Sequence, residues 1–398
     1  MAWAALVLGV FGFGVGFHGT GLYLRTIVDT KGWSVTLVSA AVTIHFLAAA
    51  ALMPILPVVY RRFGVSRTTK LDAVVLSLGV LGWAIADAPW ALFVAAVVSG
   101  ASWAATGGVA LNAIVSPWFD RNRPAALSLA YNGGSIGGVI FPTIWAVGIG
   151  TLGFLWAALI VGAAMTIIVW MLGDRFFVKS PESMGLTPDG NASTAAAAPI
   201  GAPARVSLPG GLLWRNRCFI TLATGMALGF FVQFGMIAHL FSLLVPALGT
   251  RAAGMALGAI GLAAILGRQA FAKLLAPGRD RRVAAAFNLG VQVLGSTAFF
   301  VAGGENPFWL LIGLVLFGLG IGNGASLPPL IAQVEFTKED ASRAVPAIIA
   351  IAQAISAFSP IAFGLIRDLA VDCVASACGN APLVFATAAS KCWPAPVS

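Results

Sequence analysis

One arginine lies where an arginine is expensive. Arg268 falls inside an apolar run, eight residues before Ala276 and so about 12 Å from that boundary at 1.5 Å per residue. At membrane depth a guanidinium costs about 2.5–3.5 kcal/mol on insertion scales. Facing a cavity, its planar fork suits a carboxylate held by two parallel hydrogen bonds. Facing a helix end, it is a snorkelling or structural arginine bonded to loop carbonyls. The three histidines, His18, His45 and His239, also fall in apolar runs. A histidine titrates near neutral pH and can relay a proton, and the helix cores carry no Asp or Glu. The histidines are therefore the internal candidates for a coupling proton, His239 foremost, against the plainer role of packing and hydrogen bonding. Asn112, Tyr131, Asn132, Gln233, Asn323 and Gln353 can each bond an oxygen of a small substrate, or tie helices together.

Other chemistries find no residues to carry them. Cys218, Cys373, Cys378 and Cys392 lack paired metal-ligand spacing, and Cys373 with Cys378 would form a disulfide only in an oxidising compartment. The stretch Gly133-Gly134-Ser135-Ile136-Gly137 matches a hydrolase elbow, which needs a strand–turn–helix context. The stretch Gly14-Val15-Gly16-Phe17-His18-Gly19 matches a dinucleotide fingerprint, which needs a preceding strand. Both lie in apolar helical runs and are set aside. With no phosphate loop, metal motif or catalytic cluster, the expectation is a protein that is not an enzyme and needs no cofactor.

The elements that position these residues follow from composition. The chain has 398 residues, of which 59% are hydrophobic and only 9% charged, against about 25% charged in soluble domains. A mean hydropathy of +0.94 agrees, and the chain is expected to live in a lipid bilayer. A bilayer core takes about 20 apolar residues per helix. Stretches nearly free of charge predict twelve spans, at 2–26, 33–58, 71–88, 90–116, 124–147, 152–172, 217–245, 251–275, 282–302, 307–332, 343–367 and 373–390. The fifth and sixth are separated at Gly148, Gly150 and Gly153. The last is short and holds Asn380 and Pro382. Lipid forbids unsatisfied backbone, so the spans are helices. The first apolar run reads as a membrane helix, not a cleaved signal.

The net charge of +9 sits in short loops between apolar runs. That pattern sets orientation and does not read nucleic acid. Only Arg25, Lys31, Arg251 and Arg367 fall on one side; the remaining loop lysines and arginines fall on the other. Both termini are therefore expected in the cytoplasm, in a multi-pass inner (cytoplasmic) membrane protein. Residues 173–212, rich in Ala, Gly and Pro, read as a cytoplasmic linker. They divide a six-helix half at 1–172 from a second at 213–398. Pairs of glycines spaced by four, Gly12/Gly16, Gly133/Gly137, Gly134/Gly138, Gly318/Gly322 and Gly320/Gly324, give faces on which helices can approach closely and slide.

Several segments resemble one group of transporters. Gly12 to Gly16 followed by Gly32-Trp33-Ser34, the loop Val115-Ser116-Pro117-Trp118-Phe119-Asp120-Arg121-Asn122-Arg123, the Gly-rich residues 126–142, Leu266-Gly267-Arg268, residues 317–324, and Ser359-Pro360 with Gly364 and Asp368 are similar to the monocarboxylate porter and oxalate/formate antiporter branch of the major facilitator superfamily. The resemblance covers helices one to eleven. It implies an all-α major facilitator fold of twelve transmembrane helices in two six-helix halves, with a substrate site between the halves. It also implies secondary transport of a small organic anion such as a monocarboxylate, symport with a proton, and a monomer. The alternative is export or facilitated passage of a neutral or cationic solute. The chain departs from the branch in four places. Residues 57–67 carry Pro57 and Arg61 where Gly and Asp are expected, helix one has no interior Lys, position 264 is Ala, and helix eleven has no interior Lys. The branch's proton-coupling and dicarboxylate residues are therefore not carried over.

Overall fold

The computed structural model describes residues 1–53, 55–119, 123–186, 213–274, 281–304, 306–324, 331–332 and 335–377. Among them are fourteen α-helices and no strand. Ten stretches are long and apolar enough to cross a membrane. Their outward faces carry large apolar side chains such as Trp90, Trp156, Ile160, Ile167 and Phe300. Water would not tolerate so broad an apolar surface, whereas acyl chains solvate it.

The first crossing is made of α1 (Ala2–Gly16) and α2 (Thr20–Lys31), broken at 17–19 and ended by Gly32 at φ 67°. The second comprises α3 (Val35–Leu52), whose Ser34 side chain accepts the Leu37 amide at 3.2 Å, and α4 (Leu56–Phe63). Next comes α5 (Val65–Ile85). The fourth crossing is α6 (Pro89–Thr106) followed, after Gly107, by α7 (Gly108–Val115). The helices α8 (Arg123–Leu152) and α9 (Phe154–Leu172) part at Gly153. Its φ of 82° is a turn that glycine adopts without strain. Of the three glycines expected to make this break, Gly153 alone does so.

The second half opens with α10 (Arg217–Leu274). Run straight, its 58 residues would extend about 87 Å, nearly three bilayer cores. Gly249, at φ 77°, ψ 163°, folds it into two crossings. Then follow α11 (Arg281–Ala302), α12 (Pro307–Gly324), α13 (Lys338–Ser356) and α14 (Ser359–Ala377).

Two boundaries differ from expectation. The third span starts at Val65 and not at residue 71. The helix runs on through Arg67 and Lys70 because Lys70 lies along α9, with its ammonium on Asp174 and over the Trp170 ring. This puts Asp72 about 10 Å into the helix and corrects the reading that the helix cores lack acids. The gap expected at 368–372 is helical, since α14 continues to Ala377. The rest of the proposed twelfth span, with Cys378 and Cys392, and most of the linker, 187–212, lie outside the described residues.

Within the first half α1 packs on α8, α6 on α3 and α5, and α5 on α9. Within the second half α10 packs on α12 and α13, and α11 on α12. Two seams join the halves, one between α8 and α10 and the other between α3 and α14, with α10 also meeting α2.

Candidate functional site

The helix α8 works on three sides. Gly133 and Gly137 face the α1 backbone, where a methyl carbon on Gly137 would lie 2.5 Å from the Val10 carbonyl oxygen. Gly134 faces the Phe13 ring and Gly138 the His18 ring. A third stripe, Ser135, Val139, Pro142 and Ala146, meets Gly254, Gly258 and Gly261 of α10. The predicted glycine pairs therefore fasten helices inside each half, with Gly12 and Gly16 on Thr106 and Trp103 and Gly318 on Ile260 and Ala263. The glycines at the seam between halves, on α10, had not been singled out.

Arg268 ends this seam. Its Nε donates to the Gly322 carbonyl at 3.1 Å, one terminal nitrogen donates to Asn132 Oδ1 at 2.6 Å, and the other to Ser135 Oγ at 3.3 Å. Asn132 and Ser135 are one helical turn apart on α8, so both reach the same guanidinium. All three acceptors are neutral, and no carboxylate among the described residues pairs with Arg268. The charge is half-buried without a counter-charge, an arrangement that favours an anion. Ser135 lies in the stretch that matches the hydrolase elbow. Its spacing of three from Asn132 was the available signal.

Tyr131 and Asn112 lie beside this point but serve each other. Asn112 Nδ2 donates to the Tyr131 hydroxyl at 2.5 Å and to the Gly108 carbonyl at 3.0 Å, and Tyr131 donates to the same carbonyl at 3.2 Å. This cluster braces the start of α7 just past the Gly107 break, with Asn112 exposed.

Gln233 and Asn323 are buried in the second half. Gln233 Nε2 donates to Gln292 Oε1 at 3.1 Å, Asn323 Nδ2 to Asn288 Oδ1 at 3.3 Å, and Asn288 Nδ2 to the Gly320 carbonyl at 3.1 Å. These amides join α10, α11 and α12. Gln292 and Asn288, which complete the cluster, are paired by tertiary packing, which periodicity does not reveal. Gln353 of α13 instead reaches the first half, its Nε2 3.8 Å from Met53 Sδ just past α3.

The histidines occupy three different settings. His45 is buried, with Nδ1 on Ser99 Oγ at 2.9 Å and Nε2 on the Gly16 carbonyl at 2.8 Å, wholly within the first half. His239 bridges the α3–α14 seam, with Nε2 2.9 Å from the Pro360 carbonyl and 3.4 Å from Ser39 Oγ. His18 borders a cavity of about 20 Å³ with Pro142, Ile237, Leu257 and Ile260, room for about one water. No two of these rings meet Arg268 or one another.

The α3–α14 seam is polar along its length, whereas the α8–α10 seam is polar where Arg268 ends it. Asp368 Oδ2 accepts the Thr36 amide at 2.8 Å and its hydroxyl at 2.6 Å. The Ile361 amide donates to Thr43 Oγ1 at 3.2 Å. Each helix thus supplies a side chain to an orphan amide in the first turn of the other.

A family model described as Major Facilitator Superfamily matches residues 4–362. No curated protein matches closely enough to count as a relative. Among solved structures, a bacterial homologue of the human lysosomal transporter Spinster, described as inward-facing and unoccupied, superposes with a TM-score of 0.72 at 15% identity, over 99% of this chain and 88% of that one. The nucleoside transporter NupG superposes with a TM-score of 0.67 at 12% identity, over 98% of this chain and 94% of that one. At such identities the likeness carries the fold alone.

Proposed function

This chain belongs to the Major Facilitator Superfamily, and from that premise we propose that it moves a small organic anion, a monocarboxylate foremost, by alternating access across the cytoplasmic membrane. The observation that carries this reading is Arg268, a half-buried guanidinium whose donors all rest on neutral oxygens, two of them from the opposite half. A carboxylate would accept the same fork through shorter, charge-assisted bonds. In doing so it would take the donors away from Asn132 and Ser135. Substrate binding and the fastening of α8 to α10 thus compete for one group, which links occupancy to the seam. Asn132, released, is the adjacent side chain for orienting the substrate, with Tyr131 and Asn112 behind it.

The excess of Lys and Arg on one side favours both termini in the cytoplasm. The sealed Thr36–Asp368 end then faces outward, an inward-facing arrangement like that named for the Spinster homologue. His18, bordering a cavity at the seam, is the best sited of the histidines to exchange a coupling proton. The second reading, a neutral or cationic solute, draws on the amide cluster Gln233, Gln292, Asn288 and Asn323. Those groups already bond each other, so the anion reading is preferred.

The test is thermal stabilisation of the purified protein by carboxylates, amines and neutral polar solutes, since a ligand raises stability only by binding the folded state. Carboxylates should stabilise wild type and lose that effect in Arg268→Ala, with uptake reduced by about 100-fold or more, as expected for losing a bidentate charged contact. Carboxylate stabilisation that survives the substitution would remove Arg268 from the site.

A further inference from the structure

One carboxylate of the first half has no task in the scheme above. Asp72 lies half-buried on α5, about 10 Å past Val65, and its Oδ2 is shut off from the surface with no hydrogen-bond donor among the described residues. Its electrostatic neighbour is Tyr60 of α4, whose hydroxyl donates away from it, to the Ala105 carbonyl at 3.3 Å.

Among the described residues, the cations of the neighbouring elements are directed elsewhere. On α5 itself Lys70 is bound to Asp174 of the turn after α9, and Arg67 is exposed. On α4 Arg61 and Arg62 are exposed, Arg62 lying over Phe63. Arg175 also belongs to the turn after α9 and is exposed. On α2 Arg25 pairs with Asp29, and Lys31 with Asp87, at the opposite end of the bundle. The segments of α6, α7 and α9 carry no titratable side chain.

A charged carboxylate oxygen shut off from water and left without a donor is disfavoured, and a neutral acid far less so. Two of the elements around it begin or end at backbone breaks. α4 follows the break after Leu52, and α7 follows Gly107, two residues from the Ala105 carbonyl that holds Tyr60. Both are only eight residues long. Such breaks are where a short helix swings without disturbing its neighbours.

We propose that Asp72 is a proton-binding site of the transport cycle, occupied when α4 and α7 are packed as here and emptied when they part. In the packed arrangement the carboxyl O–H is formed with a proton from bulk water. When α4 swings away with Tyr60, water reaches Oδ2, the O–H bond breaks, and the proton returns to water on a carboxylate that is now solvated. No other reactant is required. Because occupancy follows the arrangement of the helices, a proton gradient biases that arrangement whatever the solute. The proposal therefore does not depend on the anion reading.

Infrared difference spectroscopy of the full chain in lipid nanodiscs tests this without any substrate. Wild type at neutral pH should show a carboxylic acid carbonyl band that Asp72→Asn lacks while keeping its melting temperature within a few degrees. The band should weaken by half or more in Gly261→Val and Asp368→Ala, both of which disfavour the present arrangement. A wild type with no such band would overturn the site, since Asp72 would then be ionised in the packed arrangement. A band of equal size in all three backgrounds would overturn the coupling, since the proton would then ignore the helices. Loss of carboxylate stabilisation in Arg268→Ala bears on neither result.

Discussion

The two seams between the halves close the same gap by different means. Along α8–α10 the contact is mostly backbone against backbone, with Gly254, Gly258 and Gly261 lying on the stripe Ser135, Val139, Pro142 and Ala146, and with Arg268 bonded to Asn132 and Ser135 at its end. Along α3–α14 it is made of hydrogen bonds, from Thr36 to Asp368, from Ile361 to Thr43, and between Ser39 and His239. Close packing tolerates no intermediate spacing, because dispersion is forfeited within an ångström and overlap is forbidden. Hydrogen bonds at an end that opens to water are exchanged for bonds to water, so each adds only about 0.5–1.5 kcal/mol net. The glycine seam therefore fixes where the halves meet, and the polar seam sets how long they stay together.

The largest effect should come from filling the glycine seam. A methyl carbon on Gly261 would stand 2.7 Å from the Val139 amide nitrogen and 2.8 Å from the Ser135 carbonyl oxygen. Neither atom can retreat without moving α8. Overpacking of this kind costs about 1–3 kcal/mol, and Gly261→Val lies at the upper end. The cost falls only on the closed arrangement, so the population should shift away from it by about 100-fold. Distances between spin labels at the outer ends of α2 and α14 would lengthen. Unchanged distances in a folded variant would mean that this seam is slack and that the comparison is misdrawn.

Next in size is Asp368→Ala. It removes a carboxyl acceptor that takes two bonds from Thr36 in the first turn of α3, where the helix dipole also favours negative charge. Bonds to charged groups are worth about 1.5–3 kcal/mol, but water can cap α3 once the end opens. The same label distances should therefore shift in population by about 10-fold. A shift as large as that of Gly261→Val would make the polar seam the one that locks.

Much of this layout was readable before folding. Charge-free stretches gave the crossings, and the cost of a deep cation singled out Arg268, because burial in lipid penalises any misplaced charge. The third span was misjudged because Arg67 and Lys70 look like a loop, although a lysine that reaches Asp174 stays in the helix. That error hid Asp72. Ser135 and the seam glycines were missed for another reason. Spacing along one helix shows which residues share a face, but only packing shows which helix that face meets. Asn288 and Gln292 belong to the same class, amides defined by partners from distant segments.

The smallest expected effect tests whether the polar seam is a set of modest, separable bonds. Ser39→Ala removes one contact, the 3.4 Å approach of its hydroxyl to His239 Nε2, which is long for a hydrogen bond and correspondingly weak. The ring keeps its 2.9 Å partner, the Pro360 carbonyl, so the substitution strands no buried donor, the usual source of large penalties. Gly364 also packs on this hydroxyl: a methyl carbon there would lie 2.6 Å from Ser39 Oγ. Removing the oxygen therefore slightly relaxes the approach of α14 to α3. The two consequences oppose, and the net change should be about 0.5 kcal/mol, or roughly 2-fold in the closed population. Combined with Asp368→Ala, the effects should add to within about 0.5 kcal/mol, a small coupling remaining because Gly364 approaches both Ser39 and the Thr36 backbone. An effect of 10-fold from Ser39→Ala alone, or strong non-additivity with Asp368→Ala, would mean that the seam opens as one cooperative unit centred on His239, and the contrast between a breakable polar seam and a rigid glycine seam would be lost.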